Sequence, residues 1–348
     1  MISKSVSKEL SKEEVEEALR LHKMCHVVDT HCDTLQALFR DIFPSVTPSR
    51  VEEGLGKRSD KGHVDIPRLK EGGVDCQVFA IFVSKIPNPP KPLHRALNLI
   101  DIFYRECEEN KDEISHAKSY EEVLKTIESG KIAAVLSLEG GEAIGGDVSV
   151  LRILHRLGVR MMSLTWNHRN LLADGVKEQR TKSGLTNLGV KVVEEMERLG
   201  IVIDVSHLSE SCFWDLVDIT DSPIIASHSN CRTLCDHPRN LDDRQIAAIA
   251  DKGGVIGMNF YPKFLRKEGQ ATVSDVVDHM EHIIDLVGID YVGLGSDFDG
   301  ISSTPIGLED ASKVPNLTLE LVSRGYSKEE IRKILGGNHL RVFSKVMR

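Results

Sequence analysis

The first residues of this chain able to do chemistry together stand in VVDTHCDTL, Val27 to Leu35. Val27 to Thr30 reads as a buried strand that ends in His31 and Asp33. Side chains two apart on a strand share a face, so an imidazole and a carboxylate are presented to one point while Cys32 turns away. That is the start of a metal site at a strand's end. A lone His-x-Asp pair is common by chance, and it gains force only if other strands also end in ligands.

The elements that would position such ligands recur along the chain. A capping box, Ser11 with Glu14, opens a leading helix through Val15, Ala18 and Leu21. After the first strand come apolar runs from Val74 to Val83, and from Ile132, Val159, Ile201, Pro223, Gly254 and Tyr291. Helical patterns alternate with them, at His94–Asn110, Tyr120–Ser129, Val148–Leu157, Asn187–Leu199, Glu210–Val217, Asp242–Asp251 and Ser274–Val287. Two polar connections carry Pro44, Pro48, Gly54, Gly56 and Gly62, and Pro87, Pro89, Pro90 and Pro92, and read as loops. Near-continuous apolar strands are buried on both faces, as in a parallel sheet covered by helices. Eight such units predict a (β/α)8 TIM barrel, with a doubly wound open sheet as the alternative. The chain is expected to form a single barrel domain over residues 1–348, with a leading helix in 1–25 and a C-terminal helical extension over 301–348.

The C-terminal ends of the predicted strands collect the chemistry. They carry His31 and Asp33, Glu139 in LSLEGG, His207 in DVSH, His228 in ASHS and Asp297 in GSDFDG. In a barrel these ends converge on one mouth, where the active sites of this fold sit. Imidazoles and carboxylates are a ligand set for zinc or a similar transition metal. Three His and three acids exceed the needs of one four-coordinate ion. They suit two ions sharing a carboxylate, with one acid left to move a proton, and such sites generate a hydroxide and polarise a scissile carbonyl or phosphoryl group. Singly, each residue has a plainer reading: a hydrogen-bonded structural histidine, or a helix cap at Glu139 or Asp297. Their coincidence at five strand ends favours the metal site. His22, His94, His116, His155, His279 and His282 fall on helices or loops and read as surface or satisfied groups.

The net charge of −9 argues against nucleic acid or an anionic membrane surface as the main partner. The charged first residues lack the apolar core of a signal peptide, and no apolar run is long enough to span a membrane. Seven scattered cysteines are not a disulfide framework. Cys231 and Cys235 lack a second pair and read as free thiols. Together these features predict a cytoplasmic protein.

DTHCDTL, LSLEGG, DVSHLS, SHSNCRTLCDHPRN, GSDFDG, GLEDASKVPNL and GGNHLRVF, in this order, resemble the renal (membrane) dipeptidase family of zinc metallopeptidases, from about Val27 to Phe343. The resemblance implies two zinc ions per chain and hydrolysis of free dipeptides, including those with a C-terminal D-residue, by a metal-bridging hydroxide. It places one ion on His31, Asp33 and Glu139 and the other on Glu139, His207 and His228, with Glu139 shared. Asp297 would take the proton of the bridging water and pass it to the leaving amine. Arg239 in HPRN would pair with the free carboxylate of the dipeptide, a task suited to its planar fork. Similar proteins are often dimers, so the resemblance admits a homodimer.

The chain departs from the animal enzymes at two positions. Their histidine after the Leu-Thr of the fourth strand is Trp166 here, and His168, two residues on, reaches the same side if the strand stays extended. A substrate-contacting tyrosine after the seventh strand is Phe264 here. The alternatives are a related metal-dependent amidohydrolase acting on N-acyl amino acids or lactams, and a barrel that binds metal or ligand without turnover.

Overall fold

The computed structural model describes residues 8–39, 53–83 and 91–348. Its strands are β1 (Val28–Cys32), β2 (Cys76–Phe82), β3 (Ile114–His116), β4 (Ile132–Glu139), β5 (Val159–Ser163), β6 (Val202–Asp204), β7 (Ile224–Ala226), β8 (Val255–Met258) and β9 (Val292–Leu294). All pairings are parallel. Because β2 pairs with β4 and β1 with β9, eight strands close into a ring with helices around it. The expected (β/α)8 barrel is therefore the fold. The ninth strand, β3, lies outside the ring. It pairs with Ile132–Ala134, the start of β4, on the edge that β5 takes from Leu136 onward.

Alternation along β4 shows how the barrel sorts its residues. Ala133 and Val135 join Val28, Val78, Met161, Val202, Ile225 and Val255 in an inner apolar cluster. Leu136 and Leu138 face the opposite way, into the main core with Leu99 and Phe103 of the Lys91–Glu109 helix. Glu139 keeps phase with Ala133, Val135 and Ser137, so period-two geometry delivers its carboxylate to the inside at the strand's last residue. The C-terminal helix Asn338–Val346 adds Leu340, Phe343 and Val346 to the inner cluster. That cluster draws on the N-terminal ends of the strands, so LRVF forms an apolar floor at the end away from Glu139. Burying each such side chain contributes about 1.5–3 kcal/mol.

The leading helix, Lys12–Lys23, starts on the predicted Ser11–Glu14 capping box. It is held to the C-terminal helix Pro315–Ser323 by His22, whose Nδ1 lies 2.7 Å from Thr318 Oγ1 and whose Nε2 lies 2.9 Å from the Gly72 carbonyl. His22 is thus a satisfied buried group. The helix Asp243–Asp251 opens on an Asp242–Gln245 capping box, which fixes the end of the loop carrying Arg239. Among the described residues no helix is long and apolar enough to cross a membrane. All seven cysteines are free. The expected loop residues Pro44, Pro48, Pro87, Pro89 and Pro90 lie outside the described residues.

Candidate metal centre

The barrel mouth brings together all six side chains singled out at the strand ends. His31 Nε2 lies 3.5 Å from Asp33 Oδ2, 3.6 Å from Glu139 Oε2 and 3.9 Å from Asp297 Oδ1. The other oxygen of Glu139, Oε1, is 3.0 Å from His207 Nε2, and His207 Nε2 is 2.8 Å from His228 Nε2. Ligand atoms of His31, Glu139 and His228, and again of His31, Asp33 and Asp297, lie within 4.8 Å of one another. Cys32 is buried in the main core, away from this cluster.

Two buried aspartates that the sequence reading passed over hold the strand ends in register. Asp29 accepts the Ser296 amide at 2.8 Å and the Ser296 hydroxyl at 2.6 Å, and so ties the strand carrying His31 to the one leading to Asp297. The His31 carbonyl then accepts the Asp297 amide at 3.1 Å. Asp204 does the same between β6 and β7. Its Oδ1 accepts the amides of Ser206 and Ser227, both at 2.9 Å, and its Oδ2 accepts the Ser227 hydroxyl at 2.5 Å. His207 and Asp297 both sit at positive φ, 72° and 62°, conformations that cost free energy in non-glycine residues and that cluster at functional sites. Gly300 is required by closeness alone. A Cβ there would meet Asp33 Oδ2 at 2.2 Å and Asp297 Oδ1 at 2.4 Å.

The donor set fits cations. Both ring nitrogens of His31 and Glu139 Oε2 are buried without a hydrogen-bond partner, an arrangement a protein interior seldom tolerates unless another group completes it. His207 Nδ1 faces Asn167 Oδ1 at 2.9 Å, and His228 Nδ1 faces Ser227 Oγ at 2.7 Å. With its proton on Nδ1, each ring turns an Nε2 lone pair inward. Those lone pairs and Glu139 Oε1 converge at 2.8–3.0 Å, a contact that repels unless positive charge lies among them.

The electrostatics agree. Burial, then the charge of Asp33, pushes Glu139 well above the usual carboxylate range. Asp297 is raised to about 6, mainly by burial, against the pull of His31. Burial lowers His31, but Glu139, Asp33 and Asp297 outweigh it and hold the imidazole at about 10. His207 and His228 are driven well below the normal histidine value, first by burial and then by neighbouring cations. One half of the cluster is starved of positive charge and the other half presents neutral imidazoles, as metal ligation requires.

Arg239 is buried on the connection between β7 and the Asp243–Asp251 helix. One Nη donates to the His228 carbonyl at 3.2 Å, and its Cζ lies 5.7 Å from the centre of the Phe264 ring. Phe264, buried itself, packs edge-on to Tyr261. A cavity beside His207 is lined by Arg239, Ser229, Arg232 and Glu210 among others. The expectation for His168 meets a different geometry. β5 ends at Ser163 and the chain turns, so His168 lies with its side chain 51% exposed, 4.0 Å from Glu178. The residue that meets the cluster is Asn167, through His207. Asn259 was also missed. It donates to Asp297 Oδ2 at 2.8 Å, and its only sequence signal is an amide directly after a strand, in MNFY.

A family model, membrane dipeptidase (peptidase family M19), matches residues 15–348. Dipeptidase aclJ of Aspergillus oryzae is 36% identical over 296 residues, 82% of this chain and 70% of the fungal protein. Dipeptidase tcpJ of Claviceps purpurea is 37% identical over 295 residues, 82% of this chain and 69% of its own. Among solved structures, the metallopeptidase dipeptidase AC of family M19 superposes with a TM-score of 0.85 at 32% identity, over 93% of this chain and 99% of the other. A metallopeptidase from Rhodobacter sphaeroides, liganded with a phosphinate mimic of L-Ala-D-Ala, gives 0.84 at 30% identity, over 92% and 99%. The chain belongs to the membrane dipeptidase family, peptidase family M19, and is a metallopeptidase that hydrolyses dipeptides.

Proposed function

We propose that this protein is a binuclear zinc dipeptidase whose substrates include dipeptides with a C-terminal D-residue. The observation that carries the reading is the division of Glu139, with one oxygen toward His31 and the other toward His207. His31, Asp33 and Glu139 would hold one ion, and Glu139, His207 and His228 the other. Two bound zinc ions supply a water acidified to near-neutral pKa and a Lewis acid for the scissile carbonyl.

The chain's own residues do the rest. The Arg239 guanidinium pairs with the free carboxylate of the dipeptide, which restricts the site to short substrates and sets the distance to the scissile bond. Its burial makes that charge pairing strong, and Phe264 packs beside it. Asp297 is the proton carrier. Asn259 occupies its Oδ2, leaving Oδ1 toward His31 to take a proton and release it to the departing amine. The phosphinate mimic of L-Ala-D-Ala held by the Rhodobacter sphaeroides relative supports L,D-dipeptides as the substrate class.

The test is a panel of Gly- and Ala-dipeptides in both C-terminal configurations, run on zinc-loaded protein beside N-acyl amino acids. Turnover of dipeptides, D-terminated ones included, is expected. Turnover confined to N-acyl amino acids would overturn the reading.

A further inference from the structure

The two histidines that face Glu139 are backed by different chemistry. His207 leans on an amide, Asn167 Oδ1 at 2.9 Å. His228 leans on a chain of two groups that ends in a buried carboxylate. Its Nδ1 is 2.7 Å from Ser227 Oγ, and Ser227 Oγ is 2.5 Å from Asp204 Oδ2. An ionised carboxylate only accepts hydrogen bonds. The single hydroxyl hydrogen of Ser227 must therefore point at Asp204, and the hydroxyl oxygen must accept from His228 Nδ1–H. Ser206 steadies the same ring from its backbone side, its Oγ accepting the His228 amide at 3.2 Å. Asp204, Ser227 and His228 are all essentially inaccessible to solvent, so water does not compete for these bonds.

We propose that Asp204 and Ser227 are positioning residues that lock His228 in its Nδ1–H form and so aim its Nε2 lone pair at the cation site. The inference rests on the metal reading given above. A partner behind the ring of a ligating histidine fixes its tautomer and raises its basicity, and losing such a partner costs about 10- to 100-fold in metal affinity. The direction of the chain depends on Asp204 having no proton to give. In Asp204→Asn the amide oxygen takes the place of Oδ1, which accepts two backbone amides, and the NH2 group then faces Ser227. The hydroxyl then turns toward His228 Nδ1, 2.7 Å away, in preference to the more distant Ser206 Oγ at 3.3 Å, and the ring proton moves to Nε2, the atom needed for ligation. A nearly isosteric change thus reverses the polarity of the relay.

The experiment compares the full-length wild-type chain with Asp204→Asn and Ser227→Ala. Metal is removed by chelation and zinc is titrated back against a chromophoric chelator. The His228 tautomer is read by long-range proton–nitrogen NMR of the metal-free proteins. The wild-type ring should carry its proton on Nδ1, and Asp204→Asn should move it to Nε2. One of the two zinc sites should weaken about 10- to 100-fold in each variant, with little change in the other. A folded variant with unchanged tautomer and unchanged zinc affinity overturns the inference and leaves Asp204 as a tie between β6 and β7. If Asp204→Asn does not fold, Ser227→Ala decides by zinc affinity. Wild-type protein that takes up no second zinc would refute the two-ion reading instead, and the tautomer measurement would still judge the relay.

Discussion

Glu139 and His207 stand 3.0 Å apart, Oε1 to Nε2, although they come from β4 and from the turn after β6. Glu139 arrives there by strand alternation, and His207 by a left-handed backbone with φ of 72°. The other carboxylate oxygen faces His31, so a single side chain spans the two halves of the cluster.

Asp297→Asn should separate proton transfer from binding. Asparagine keeps the shape but cannot carry the proton, so kcat should fall about 10²- to 10⁴-fold while KM stays near the wild-type value. Steady-state kinetics on a D-terminated dipeptide, with zinc content measured on the same sample, checks this. Wild-type kcat in a zinc-replete variant would remove Asp297 from the proton path.

Arg239→Met should act on binding. Leaving a buried charge without its partner costs about 2–5 kcal/mol, equivalent to about a 30- to 4000-fold loss in kcat/KM. The loss should be confined to substrates with a free carboxylate. Activity on the corresponding dipeptide amide, expected to be low in the wild type, should scarcely change. An equal loss on both substrates would mean that Arg239 does not read the carboxylate.

Gly300→Ala tests the closeness of the two acids. The added methyl overlaps Asp33 Oδ2 and Asp297 Oδ1. Displacement of a reacting group by about 1 Å can cost about 10²-fold in rate. Activity should fall by that order with the unfolding temperature lowered by only a few degrees. Full activity would show that neither carboxylate needs its present place.

Most of the fold was legible because an apolar strand announces itself, and in a parallel barrel every strand is one. The candidate ligands were legible because they stand where those runs end. β3 was missed because Ile114–His116 is three residues long, too short for any periodicity, and it forms only because the start of β4 has a free edge. His168 was a reasonable candidate on an extended chain. The chain turns after Ser163, however, and period-two counting then fails, so Asn167 takes the contact. Asp29 and Asp204 looked like ordinary strand residues. Their roles depend on Ser296 and Ser227, 267 and 23 residues away, and no local pattern encodes such partners.

Stability should fall with acid through buried histidines remote from the metal cluster. His339 is fully buried, with Nε2 donating to the Leu294 carbonyl at 3.0 Å. Burial lowers it to about 3, against about 6.5 in the unfolded chain. The unfolded state therefore binds a proton first as pH falls. The stabilising contribution is whole above about pH 6.5 and is lost progressively down to about pH 3, the loss amounting to about 2 kcal/mol at pH 5. Thermal unfolding from pH 7.5 to 4.5 should show a falling midpoint, and His339→Gln should flatten that slope in part. An unaltered slope in the variant would rule out His339 as a contributor.

The shared carboxylate is tested most directly by counting zinc per chain in wild type and in Glu139→Gln, with dipeptidase activity measured on the same samples. Glutamine keeps one oxygen but loses the charge and the second acceptor. The wild type should hold two zinc ions per chain, lost together with activity on chelation. Glu139→Gln should hold fewer than two and retain less than about 1% of wild-type activity, since even partners behind the ligands are worth about 10- to 100-fold. A Glu139→Gln protein with two zinc ions and full dipeptidase activity would contradict the account.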